Sequence, residues 1–285
     1  MIRYRGRRYG VREVARRVRR MRPTVLLHFA RDVARGPLRR VDLRSWPIRY
    51  GPAALPRVLG FSSRARMLQH LREEAVAIWP VPPSRRAVLA DALRASQDGI
   101  DGEAKERAEA ALAHEVELLG SGKVELGAEI DWLADFKTGH RWPNQWFREI
   151  DYVNWDRPSD VKVPWELSRG QPLIDLARGA VLFGDRRYVD EIQSLIRSWW
   201  AANPVGWSVN WSCTMDVAIR ATAWTWVLSL LADQLDDDFC CELLASLYQH
   251  GLFIADNLER SDVNGNHYLS DAVGLVRPGV DKTGE

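Results

Sequence analysis

From Val163 onward, apolar residues recur every three to four positions in runs broken by turn residues, a period that predicts a series of helices. Pro164 suits a first helical turn, and Leu167, Ile174, Leu176, Ala177, Ala180 and Val181 carry the stripe forward. Gly184 then Asp185 places a helix-ending glycine beside a helix-capping aspartate, which predicts a tight turn between two helices. From Tyr188 to Asn203, Val189, Ile192, Leu195, Ile196 and Trp199 share one face. A loop over Pro204 to Trp211 leads to Ser212, the expected N-cap of a long apolar helix reaching about Ala232. Asp236 or Asp237 caps the next, which runs to about Glu259, and after a loop a last helix begins near Asn266. Alternating short and long connections predict antiparallel pairs stacked side by side, and no strand alternation interrupts them.

The earlier half is less regular. Ala65, Leu68, Leu71, Ala75 and Ile78 predict a helix from Arg64 to Trp79, ended by the proline-rich run from Pro80 to Pro83. Pro83 to Ser96 and Gly102 to Leu119 repeat the helical pattern. Residues 120–160 have turn residues at short intervals and no helical period, so an extended loop with two short strands is expected. The fold class is therefore all-α.

Composition fits a globular protein, 46% hydrophobic and 27% charged with a net charge of +2, and 285 residues suffice for one large domain or two ordinary ones. The balance hides an asymmetry. Residues 1–44 hold 15 arginines against three acids, a net +12, so the remainder carries about −10. Such a leader could meet nucleic acid or an anionic membrane surface, or form one solvated helix face over a stripe of Val11, Val14, Ala15 and Val18. No nucleic-acid-binding motif accompanies it, and no nucleic-acid partner is expected. The apolar run from Val25 to Ala30 is short and contains His28, so it is not a signal peptide; with no membrane-length apolar segment, a cytoplasmic location is expected. Cys213, Cys240 and Cys241 have neither disulfide nor metal-ligand spacing and are expected to be small core residues, with no metal or cofactor.

Chemistry gathers in the second half. Eleven of the thirteen tryptophans lie between Trp132 and Trp226, threaded by polar and charged residues. Indole rings fill cores, but a sugar's C–H face also stacks on them while Asn, Arg and Glu bind its hydroxyls. Most of these rings are expected in the core and a minority along a cleft. Asn210, Trp211, Arg220, Trp165 and Glu166 supply the mixture a glycan site needs. Arg220, in the middle of an apolar helix, must be paired in the core or face a polar cleft. Glu166 and Arg169, three apart, can pair with each other or reach a ligand. Asn266, His267 and Tyr268 stand at a loop-to-helix junction, where unpaired N–H groups favour an anion such as a carboxylate; Asn266 could instead cap the helix while His267 packs.

Taken together, LGAEIDWLADFKTGHRWP, DVKVPWELSR, FGDRRYVDEI, NPVGWSVNWSCTMDVAIRATAWTW and NGNHYLSDAVGL resemble the N-terminal region of the heparinase II/III-like and alginate-lyase-like polysaccharide lyases over roughly residues 115–275. The resemblance implies an incomplete (α/α) toroid over residues 115–285, preceded by a basic helical segment over 1–114 and normally followed by a β-sandwich that is absent here. It implies β-elimination of an acidic, uronate-containing polysaccharide, with no cofactor. Asn266 and His267 fall on the family's Asn-His position and would be catalytic, neutralising the uronate carboxylate; His267 could alternatively be the base. Asn210, Trp211, Arg220, Trp165, Glu166, Arg169 and Tyr268 would contact substrate. The family's catalytic tyrosine and a further histidine would come later than Glu285, so a truncated, inactive chain with exposed apolar surface is expected. A non-catalytic glycan-binding or scaffold module is one alternative. An (α/α) glycoside hydrolase is another, and would need two facing carboxylic acids from among Asp131, Asp135 and Glu166.

Overall fold

The computed structural model describes residues 2–4, 7–9, 12, 16, 19, 23–74, 81–96, 99–154, 156–259 and 265–276. The leader stripe of Val11, Val14, Ala15 and Val18, the helix end at Trp79, and the tail after residue 276 lie outside them. What is described at the start of the leader is a hairpin, β1 (Ile2–Tyr4) against β2 (Arg7–Tyr9), where a helix was expected. Helix α1 (Pro23–Arg49) follows, continuous through Pro37 and Pro47. Then come the single turn α2 (Leu55–Val58) and α3 (Arg64–Gln69), which starts at a Ser63 cap and widens into a π turn over His70–Glu74.

Helices α4 (Arg86–Ser96) and α5 (Ile100–Leu112) complete this half. The sequence predicts that α5 continues to Leu119, but His114 turns the backbone to a positive φ of 55°. The chain then pairs β3 (Glu115–Glu117) with β4 (Lys123–Glu125). Alternating Glu115, Val116 and Glu117 fit a strand with one buried side, and that pattern overrides the helical one. A third hairpin joins β5 (Ala134–Asp135) to β6 (His140–Arg141). Among the described residues no sheet exceeds two strands.

The second half is α6 (Lys162–Leu167), α7 (Gln171–Phe183), α8 (Arg186–Ala202), α9 (Thr214–Leu231), α10 (Asp237–Asp256) and α11 (Asn266–Val276). Gly184 takes the left-handed conformation that ends α7, and the Asp185 carboxylate accepts from the Arg187 N–H to start α8, as the sequence predicts. Packing runs α5 on α7, α7 on α8, and α9 on α7, α10 and α11, a curved array of helix pairs forming part of an (α/α) toroid. Helix α9 is its hub, apolar on nearly every side and buried accordingly.

Two crossings depend on missing side chains. A Cβ on Gly179 would sit 2.7 Å from Ala108 Cβ and 2.9 Å from the Tyr188 ring; one on Gly274 would sit 2.5 Å from Ala218 Cβ. The second lets α11 lie flat on α9. Its opposite face shows Leu269 and Val273 to solvent, 66% and 45% exposed.

Arginines of the first half serve the second. Arg72 Nε donates to Ala232 O (2.8 Å), Arg86 Nη1 to Leu230 O (2.8 Å) and Arg94 Nη2 to Leu182 O (2.6 Å). These carbonyls end α9 and α7, where the last turn leaves acceptors unpaired and the helix dipole favours a cation. No described helix is long and apolar enough to cross a membrane.

Candidate functional site

The start of α9 is not capped as the sequence predicts. Cys213 holds the N-cap position without a side-chain bond, and Ser212 Oγ instead donates back to Val209 O (2.6 Å). The Met215 N–H of the first turn is met from another element: Glu259, just past α10, accepts it at 3.3 Å. Thr214 Oγ1 also donates to Asn257 O (2.8 Å), fastening the end of α10 to the start of α9. The Glu259 backbone N–H donates to Asp271 of α11 at 2.7 Å. Three helix ends thus meet around one carboxylate.

His267 completes the cluster. Its Nδ1 lies 2.7 Å from Glu259 Oε2, and the Cys213 sulfur lies 3.8 Å from that oxygen and 3.9 Å from Nδ1. The Glu259 side chain is 12% exposed and that of His267 47%, so the imidazole opens outward over a covered carboxylate. Burial first, then Glu259 and Asp216, push the Cys213 thiol far above its ordinary value, which excludes it as a free nucleophile. Asn266 is the first residue of α11. Its exposed amide nitrogen lies 4.0 Å from Met215 Sδ.

On the same side, Arg169 bridges Glu166 and Asp216, the latter at 2.7 Å from Nε. The predicted Glu166–Arg169 pair is therefore present, with a buried third member that local spacing could not show. Trp165 donates its N–H to Val209 O (2.9 Å) and meets Tyr152 edge-on, leaving part of its ring uncovered. Tyr268 is half-buried. Trp165, Glu166, Arg169, Asn266, His267 and Tyr268 are thus partly or fully open to solvent.

Asn210, Trp211 and Arg220 are not; they are 0%, 1% and 0% exposed. In this structure they do not line a cleft, a correction with a clear cause. Asn210 Nδ2 donates to Trp132 O (2.8 Å) and Asn203 Oδ1 (3.0 Å), and Trp211 Nε1 to Asn203 O (3.2 Å), so their N–H groups are engaged inside, while Asn210 Oδ1 is buried with no hydrogen-bond partner among the described residues. Nor is Arg220 in a salt bridge among the described residues. Its guanidinium carbon stands 4.1 Å from the Trp199 ring centre, 5.3 Å from Trp211 and 5.9 Å from Trp224, an aromatic cage whose cation–π attraction adds to the field of the Asp216 carboxylate. Burial pushes its pKa down to about 9, so it stays charged at neutral pH.

Arg220 Nε donates to His250 Nε2 (3.1 Å). An arginine N–H can only donate, so Nε2 is the bare nitrogen and Nδ1 carries the proton, given to Ser246 O at 2.7 Å. Of the eleven clustered tryptophans, six are buried, four are partly buried and Trp155 lies outside the described residues. Most rings are core, as composition predicts.

The three carboxylates of the hydrolase alternative are each engaged by other groups. Asp131 holds Arg141, Glu166 holds Arg169, and Asp135 is buried, accepting from Lys137 N, Thr138 Oγ1 and Asp160 N. Sequence reasoning missed Glu259 and Cys213. An acid at the predicted end of an apolar helix, eight residues before His267, was the available signal for the first; nothing marked the second.

Residues 63–281 match the family profile described as Heparinase II/III N-terminus, a span that begins well before the segment carrying the motifs. No curated protein sequence matches the chain. The crystal structure of heparan sulfate lyase HepC from Pedobacter heparinus is similar at 22% identity and a TM-score of 0.52, covering 73% of this chain and 29% of that one. A mutant of the same lyase gives 22% identity and a TM-score of 0.52, with 75% and 30% covered. At that identity the likeness speaks for the fold, and the chain spans about three-tenths of the length of HepC. With most of its residues inside the matched span, the chain belongs to the heparinase II/III family, to whose N-terminal region it corresponds.

Proposed function

We propose that this chain supplies one wall of a cleft for an acidic, uronate-containing polysaccharide, of the kind cleaved by β-elimination. One observation carries the reading: Asn266 and His267 stand exposed at the first turn of α11, with His267 Nδ1 held on a covered carboxylate, Glu259. Removing the C5 proton of a uronate is prohibitive while the neighbouring carboxylate keeps its full charge. The Asn266 amide and the open N–H groups of α11 offer that carboxylate hydrogen bonds that strengthen as an enolate-like charge develops. A neutral His267 donating through Nδ1 to Glu259 has a bare Nε2 on its open side, fit to accept a proton; a cationic one would be a second neutraliser. Glu259 is in either case a positioning residue. Trp165, Glu166, Arg169 and Tyr268 would form the rim, and Asn210, Trp211 and Arg220 the support beneath it.

HepC is named a heparan sulfate lyase, which favours a glycosaminoglycan as the acidic polymer. The test is binding first and turnover second. Asn266→Ala should weaken an acidic oligosaccharide by about 1–3 kcal/mol, the usual cost of losing a hydrogen bond to a charged group, and a neutral one much less. Equal losses for both would overturn the assignment. Ultraviolet absorbance from unsaturated uronate ends, on incubation with heparan sulfate or alginate, separates a lyase from a binding module.

A further inference from the structure

We propose that Cys213, Glu259 and His267 form a site for a borderline divalent cation of the zinc class. The ligands come from three separate places, the residue before α9, the segment after α10 and the first turn of α11, so no linear motif announces them. Their donor atoms lie 3.8, 3.9 and 2.7 Å apart. A tetrahedral zinc with bonds of about 2.3 Å to sulfur and about 2.0–2.1 Å to nitrogen and oxygen needs edges of about 3.6 Å to sulfur and about 3.4 Å between the other two. The sulfur edges must therefore close by about 0.3 Å and the Glu259–His267 edge open by about 0.7 Å, as the metal takes the place of their shared proton.

The donor set selects the ion. Thiolate, imidazole and carboxylate suit zinc or cobalt, whereas magnesium and calcium want oxygen alone. The surroundings favour a cation, because Glu166 and Asp216 share the single guanidinium of Arg169 and Glu259 adds a further carboxylate beside them. The Met215 N–H on Glu259 Oε2 fixes that ligand's direction, the support that metal ligands ordinarily receive from a second layer. With Cys213 4% exposed and the His267 side chain 47% exposed, the fourth position faces solvent. Three protein ligands and an open position make a site able to take water or an anion. Binding releases the thiol proton to solvent and leaves the His267 proton on Nε2. If His267 is the base of the proposed elimination, the cation silences it. That last consequence rests on the proposed function; the site does not.

The experiment is a Co2+ titration of the full chain, reduced and freed of metal. One ion per chain should bring a near-ultraviolet thiolate-to-cobalt band and intense visible bands of tetrahedral cobalt. Cys213→Ser should abolish the thiolate band, and Cys240→Ser should keep it. His267→Gln, a change at an exposed position that spares the fold, should weaken Co2+ binding by at least about tenfold. Asn266→Ala should bind Co2+ as the parent does, whatever becomes of its affinity for oligosaccharide, so the two proposals fail separately. Absence of the thiolate band, its persistence in a folded Cys213→Ser chain, or unchanged affinity in His267→Gln would each overturn the site.

Discussion

Acid should loosen this protein through His250, a residue far from solvent. The side chain is 0% exposed, its Nε2 receives the Arg220 N–H and its Nδ1 proton goes to Ser246 O. A second proton would have to enter where an N–H already points, beside a cation. Burial first, and Arg220 second, accordingly push its pKa well below the ordinary 6.5. The unfolded chain titrates at the ordinary value. Below it the unfolded state takes up a proton that the folded state refuses, so stability falls by about 1.4 kcal/mol for each pH unit until the folded value is reached. His114 works in another window. Burial lowers it, but the Glu191 carboxylate and the Gly127 carbonyl together raise it above the ordinary 6.5. Its contribution is complete below the ordinary value and is lost as pH rises through the folded one. His140 is lowered by burial and then by Arg157, so it adds to the acid slope with the same sign as His250. Urea unfolding from about pH 7.5 to about pH 5.5, on the parent and on His250→Gln, isolates the residue of interest. Gln keeps an acceptor for Arg220 and cannot titrate. Stability should fall more steeply with acid in the parent; equal slopes would refute the reasoning.

Gly274→Ala should cost about 1–3 kcal/mol, because the new Cβ would meet Ala218 at 2.5 Å on its side chain and 3.0 Å on its backbone, and thermal unfolding will show it. Asp135→Asn turns one acceptor oxygen into a donor facing an N–H or hydroxyl donor, so a loss of about 1–3 kcal/mol and faster proteolysis within residues 134–160 are expected. All three thiols should react slowly with an alkylating agent until the chain is unfolded, since burial pushes Cys240 up to about 11 and Cys213 further. Prompt labelling of the folded chain would contradict this.

The helices were legible because their signals are local: Asp185 caps α8 and Gly184 ends α7 within a few residues of the stripes they bound. Glu166 and Arg169 pair as their spacing of three allows, yet Asp216, which also holds Arg169, is 47 residues away and left no trace in the pattern. Arg220 shows the same limit from the other side. Its place in an apolar helix announced that something must compensate the charge, but Trp199, Trp211 and His250 do so from outside the helix together with Trp224 one turn along it, and no helix names its neighbours. Asn210 and Trp211 carry the residue types of a sugar site and are used as core, where Asn203 and Trp132 take up their N–H groups. The Glu259–His267 contact could not be read because it depends on how α11 docks on α9, a long-range packing in which Gly274 lies close against Ala218.

Helix α9 is also a lever. Its 18 residues make a rod about 27 Å long at about 1.5 Å per residue. One end carries Thr214, Met215 and Asp216, bonded to Asn257, Glu259 and Arg169. The other is gripped by the first half of the chain, where Arg86 holds Leu230 O and Ser229 exchanges hydrogen bonds with the Val81 backbone. A tilt of about 2° at that grip swings the far end by about 1 Å, a displacement able to cost a catalytic arrangement about a hundredfold. The first half thereby helps to aim residues at the far end of α9, and substitutions at Arg86 or Ser229 should be felt at His267.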